Sequence, residues 1–201
     1  MAVSLMMWRH PRPQGAAGRC IGRTDLAVDR RKAKRLAHRI RQAARRHGWP
    51  RVIHSSHLQR CADVGRVLRG WGWRHHIDAA WAEMDFGAWE GLPWSQIPPA
   101  EVDAWCQDFA HHAPGGGESL AAFTQRLLDL LQRCGHEPGQ ALPLLVVGHA
   151  GCMQVLERCL TAVGARVVES AALPALPERW PQAHEWGAPA PYMAALRWPA
   201  A

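Results

Sequence analysis

Val3-Ser4-Leu5-Met6-Met7-Trp8 is a short apolar run that passes directly into Arg9-His10-Pro11. Such a run, ended by charge and proline, reads as a buried strand. The pattern returns at Val52–Ser55, which leads into Ser56-His57-Leu58-Gln59-Arg60, and at Leu144–Val147, which leads into Gly148-His149-Ala150-Gly151. Helical spacing occupies the intervals: Arg30 to Arg51, Cys61–Leu68, Glu101–Ala110, Leu120–Cys134 and about Cys152 to Val163. Tyr192–Trp198 is a candidate last strand, and the Trp-rich stretch after the second helix reads as irregular. Strands interleaved with helices predict an α/β fold, a three-layer αβα sandwich around a mostly parallel sheet.

The 201 residues predict a single domain over 1–201, and 48% hydrophobic residues exclude a disordered chain. No apolar run approaches the ~18 residues that a membrane span needs. The amino terminus shows neither a basic leader nor a small-residue cleavage site, which predicts a cytoplasmic protein. Six scattered cysteines without a CxxC pair are expected to be reduced, small and buried. The segment Pro174 to Pro191 has five prolines and two tryptophans and is expected to wrap irregularly over the body.

The net charge of +7 is uneven. Ten Arg or Lys and no carboxylate lie between Arg30 and Arg51, so the rest of the chain carries −3. Ala33, Leu36, Ala37, Ile40, Ala43 and Ala44 form the apolar stripe of that helix, and the cations cover its other side. No aromatic or Gly-rich RNA motif accompanies the charge, so the face reads as solvated rather than as a polyanion surface.

Functional groups in open α/β sheets gather beyond the carboxyl ends of the strands. Here those ends carry Arg9, His10, Arg60 and His149, which together suit one small anion. No HxxxH spacing occurs in His75-His76 or His111-His112, so no zinc helix is expected. Asp85-Phe86-Gly87 lacks the other kinase motifs, and Gly115-Gly116-Gly117 lacks the lysine and spacing of a P-loop.

The ordered set of segments resembles the histidine phosphatase (phosphoglycerate mutase-like) superfamily, and within it the α-ribazole phosphatases. The matching segments are Leu5–Pro11, Gly22–Leu26, Ser55–Arg60, Glu83–Gly91, Gly116–Leu120 and Val146–Gly151, spanning about three quarters of the chain. The resemblance implies a phosphomonoester hydrolase that needs neither metal nor cofactor. His10 would attack phosphorus, Arg9, Arg60 and His149 would hold the phosphoryl oxygens, and Glu83 would be the general acid. Gly22 and Arg23 join the expected substrate-binding set. The implied partner is a small phosphorylated substrate, with no nucleic acid and no membrane; the choice between monomer and homodimer is open.

The chain departs from the family where Pro11, Pro13 and Ala16 replace the more usual glycine, Ser/Thr and Asn. Proline removes a backbone N–H, so the phosphate shell is thinner there or is completed by Arg12 or Arg23. Asp85 and Glu90 flank Glu83 as alternative acids. Trp89, Trp94 and Trp105 are candidates to stack on a base-like substrate. The rivals are a mutase-type phosphotransferase, which returns the phosphoryl group to a second hydroxyl behind a water-excluding lid, and a catalytically idle phospholigand-binding module. A nucleic-acid-binding protein built on the basic helix is a third.

Overall fold

The apolar amino-terminal run forms strand β1 (Ala2–Arg9), which lies inside a five-stranded sheet. The computed structural model describes residues 2–136, 143–164 and 193–199. The other strands are β2 (Val52–Ser55), β3 (Arg74–Ile77), β4 (Leu144–Gly148) and β5 (Met193–Pro199), and the spatial order is β3-β2-β4-β1-β5. The first four run parallel, and β5 closes the β1 edge antiparallel.

Alternation along β1 and β4 sends side chains to two separate cores. Leu5, Met7, Leu144 and Val146 meet α4 (Leu120–His136) and α5 (Ala150–Gly164) through Phe123, Leu127, Leu131, Met153 and Leu156. Trp8, Leu145 and Val147, with Ile53 of β2, meet the opposite layer. That layer is α1 (Arg30–His47) and α2 (Gln59–Arg69). Each fully buried Leu or Met contributes about 1.5–3 kcal/mol relative to exposure, so a β1 buried on both faces joins the three layers.

The buried stripe of α1 is Ala33, Leu36, Ala37, Ile40 and Ala44, and it shares one core with Trp8, Leu145 and Val147 of the sheet and with Val64 and Leu68 of α2. Asp29 caps its start by accepting from the Arg31 N–H at 2.7 Å. Gly48 ends it at φ 67°, a left-handed conformation that glycine adopts without cost. The helix therefore stops at His47, and Arg51 belongs to the approach to β2 rather than to the helix. Other boundaries also move: α2 begins at Gln59, α5 at Ala150, and α3 covers Pro99–Gln107, short of Ala110.

Strand β3 lies inside the stretch read as irregular. Arg74-His75-His76-Ile77 carries no apolar run, because it is an edge strand and mostly exposed. All six cysteines are free thiols, and five are buried; Cys106 on α3 is exposed, against expectation. The Pro174–Pro191 segment lies outside the described residues. Among the described residues no helix is long and apolar enough to cross a membrane.

Candidate active site

The register of the sheet assembles the site. Arg9 of β1 pairs with Gly148 of β4, so His10 and His149 leave neighbouring parallel strands side by side. The His10 N–H extends the ladder by one bond, donating to the Gly148 carbonyl at 3.0 Å. The two imidazoles then meet edge to face with centroids 5.1 Å apart.

His10 Nδ1 lies 2.8 Å from the Pro11 carbonyl oxygen. A carbonyl only accepts, so Nδ1 carries the proton and the neutral ring has its free lone pair on Nε2. Burial pushes the His10 pKa down to about 3, with Arg60 and Arg9 adding to the shift against the opposing Pro11 bond. Proline at position 11 costs an N–H but keeps the carbonyl that selects this tautomer.

Arg60, 1% exposed, is held by its whole guanidinium. Nη1 donates to the Thr24 carbonyl at 2.7 Å, Nη2 donates to the Gly22 carbonyl, and Nε donates to His149 Nδ1 at 3.3 Å. His149 must then carry its proton on Nε2, which donates to Ser56 Oγ at 2.9 Å. Burial, the first cause, and the neighbouring His10 and Arg60 hold its pKa well below the usual histidine value. His149 is fully buried, with both ring nitrogens engaged, behind Arg60 and His10.

Glu83 faces the same cavity. Its Oε2 accepts from the Gly151 N–H at 2.9 Å and Oε1 from the Met84 N–H at 3.1 Å. Burial raises its pKa above the usual carboxylate value, against those two bonds and the Arg60 and Arg9 charges. One N–H of the α5 amino terminus is thus taken by Glu83. The cavity has a volume of about 330 Å³, and Arg9, His10, Arg60, Glu83, Trp94 and Gly151 are among its walls.

Three expected substrate contacts sit elsewhere, and His149 is the first: both its ring nitrogens are bonded within the protein and it does not line the cavity. Gly22 presents its carbonyl to Arg60 and its N–H to Glu90 (3.2 Å), and a Cβ there would strike the Met84 carbonyl. The Arg23 guanidinium turns to Asp85 at 3.4 Å and Glu118 at 3.7 Å and does not line the cavity. Arg12 opens onto a different cavity. Of the three tryptophans, only Trp94, 43% exposed, reaches the cavity wall. Trp89 is buried and donates to Glu101 at 2.7 Å, while Trp105 packs among Phe86, Trp89 and Phe109.

Several supports were not identified from sequence. Glu90, by sequence an alternative acid, accepts from the backbone N–H groups of Gly22, Arg23 (2.6 Å), Thr24 (2.8 Å) and Phe86 (3.2 Å) and from the Thr24 hydroxyl. It fixes the loop whose carbonyls hold Arg60. Asp25 accepts from the Gln59 N–H at 2.7 Å and so ties this loop to the start of α2. Arg126 of α4 grips Glu118 with two bonds of 2.8 Å and donates to the Ala80, Ala82 and Glu83 carbonyls, bracing the segment that presents Glu83. Glu118 and Asp25 stand in recognisable motifs that assigned them no role, whereas Arg126 is one arginine on an amphipathic helix and carries no signal.

Burial opposes ionisation of Glu90, but its hydrogen bonds win and hold its pKa below the ordinary 4.5. Its contribution to stability is full above that ordinary value and is lost as pH falls through the lowered one. Glu90→Ala is expected to cost about 3 kcal/mol in urea unfolding at neutral pH, with a smaller cost in acid.

Arg9, His10, Arg60 and Glu83 thus meet at the carboxyl edge of the sheet, where open α/β folds place their binding sites. Over residues 5–174 the sequence matches the histidine phosphatase superfamily (branch 1), and the chain belongs to that superfamily. A 77-residue segment is 34% identical to the adenosylcobalamin/alpha-ribazole phosphatase of Escherichia coli K12, covering 37% of this chain and 37% of that enzyme. The match thus spans little more than a third of the curated relative's length. Among solved structures, a mycobacterial glucosyl-3-phosphoglycerate phosphatase superposes with a TM-score of 0.65 at 27% identity, covering 80% of each chain. A candidate alpha-ribazole-5′-P phosphatase from E. coli K-12 superposes with a TM-score of 0.67 at 25% identity, again over 80% of each chain.

Proposed function

We propose that this chain is a phosphatase that hydrolyses small phosphate monoesters through a phosphohistidine at His10. The observation that carries the proposal is the meeting of four groups at one cavity wall. His10, its Nδ1 proton on the Pro11 carbonyl and its lone pair on Nε2, stands there with Arg9, Arg60 and Glu83, and burial raises the Glu83 pKa.

In the first step His10 Nε2 forms a bond to phosphorus as the ester P–O bond breaks, and Glu83 gives its proton to the leaving oxygen. Arg9 and Arg60 meet the charge spread over the phosphoryl oxygens, and the bonds that hold Arg60 before substrate arrives spare reorganisation during reaction. In the second step water attacks the phosphohistidine, Glu83 takes the water proton, and inorganic phosphate leaves with neutral His10 restored. These protein charges support a reaction without a metal ion, so EDTA is expected to leave turnover of p-nitrophenyl phosphate unchanged.

The E. coli relatives support an α-ribazole 5′-phosphate-like substrate, and with it a role in cobalamin assembly. The exposed Trp94 ring offers the base of such an ester a stacking face. Trp94→Ala is expected to raise KM about 2- to 10-fold for an aromatic ester and not for an alkyl phosphate. A panel of phosphate esters, scored for released phosphate against isomerised ester, tests the proposal and separates hydrolysis from mutase chemistry.

A further inference from the structure

A second cavity of about 380 Å³ adjoins the first, and Arg9 is the residue they share. Its other charged walls are Arg12, from the loop after β1, and Lys32, Arg35 and Arg39, from α1. Pro11 and Leu36 supply the remaining lining, and no carboxylate borders it. Positions 32, 35 and 39 fall on one flank of the helix, so three successive side chains aim at one space.

Among the described residues none of these five cations forms an ion pair. The carboxylate of Asp29 feels Lys32 but is committed to the α1 cap, accepting from the Arg31 N–H. Five like charges around so small a space repel one another, and a compact polyanion would relieve that repulsion. A phosphate accepts from several guanidinium groups at once, in the geometry that arginine forks favour. This helix face, read from sequence as merely solvated, thus forms half of a cavity that continues to the catalytic arginine.

We propose that the Arg9/Arg12/Lys32/Arg35/Arg39 cavity is a second anion site, which binds a phosphate or short oligophosphate group next to the reacting phosphate. The ligand has two sources: a second phosphate on the substrate itself, or a free oligophosphate that engages Arg9 and slows turnover. The location of the reacting phosphate rests on the hydrolase reading above; the binding itself does not.

Calorimetric titration with inorganic tripolyphosphate is done on His10→Ala and on the same variant carrying Lys32→Ala, Arg35→Ala and Arg39→Ala. The expected result is a Kd weakened by about tenfold or more in the combined variant. A change below about twofold overturns the site, as does tighter binding of an oligodeoxythymidine than of tripolyphosphate. A second arm compares propane-1,3-diyl bisphosphate with propyl phosphate on otherwise wild-type protein, with and without the three α1 substitutions. A lower KM for the bisphosphate, lost in the triple variant, assigns the site to the substrate. Equal KM values, with tripolyphosphate inhibition weakened in the triple variant, assign it to a free anion. Should His10→Ala turn over normally, the hydrolase reading fails while the calorimetric result still decides the second site.

Discussion

Replacing His10 with alanine is expected to lower kcat/KM for every phosphate ester by at least about 10⁴-fold, the scale seen when a catalytic nucleophile is removed. The loss follows from what the ring alone supplies. Arg9, Arg60 and Glu83 all remain in the variant, so substrate still binds and an acid is still present, but no lone pair faces phosphorus. Folding should be little affected, because the structural bond at this position is made by the backbone, from the His10 N–H to the Gly148 carbonyl. Circular dichroism and urea unfolding check that point. Added imidazole is expected to restore part of the activity by entering the space that the side chain leaves.

Glu83→Gln is the second large effect. General acid catalysis contributes about 10²–10⁴-fold, and the loss should depend on the leaving group. An alkyl phosphate, whose alkoxide needs a proton, is expected to lose the full amount. For p-nitrophenyl phosphate the phenolate departs unaided, so its first step should be nearly spared. The pH profile gives a second check. A general acid works below its pKa and fails as pH rises through it, and the raised Glu83 pKa extends the active range upward from the usual carboxylate value. His10, held down to about 3, stays neutral throughout and adds no limb near neutral pH. In Glu83→Gln the alkaline decline due to this carboxyl group should vanish. Equal losses for both esters in kcat/KM, which reports only steps up to departure of the leaving group, would remove Glu83 from the role of acid.

What could be read directly from the sequence followed from alternation and strand ends. Leu5–Trp8 and Leu144–Val147 are apolar on both faces because helices cover both faces, and the polar residues that end those strands mark the edge where the candidate site lies. Arg9, His10, Arg60 and Glu83 could be named because each stands at a strand end or within a distinctive segment. The edge strand Arg74–Ile77 could not, since a half-exposed strand needs no apolar pattern. Glu90 and Arg126 act at long range in sequence, on backbone groups at positions 22–24 and 80–83, and backbone partners leave no pattern in side-chain identity. Arg23 shows the reverse case. Its position promised a phosphate contact, but Asp85 and Glu118, distant in sequence, turn it aside.

The basic helix divides in the same way. Its apolar stripe was plain from spacing, while the meeting of Lys32, Arg35 and Arg39 with Arg9 and Arg12 depends on where β1 ends beside α1. Net charge therefore described the molecule poorly. Position within the fold sorts the same cations into Arg9 and Arg60 beside His10, the Arg12, Lys32, Arg35 and Arg39 cluster next to them, arginines such as Arg126 held by carboxylates, and exposed residues of α1.

The central claim is a covalent phosphohistidine, and rapid acid-free quenching of wild-type protein with a ³²P-labelled ester tests it most directly. The account predicts label on His10 that survives alkali, is released by acid, and is absent from His10→Ala. Full turnover by the wild-type protein with no trapped label, together with an active His10→Ala variant, would contradict it.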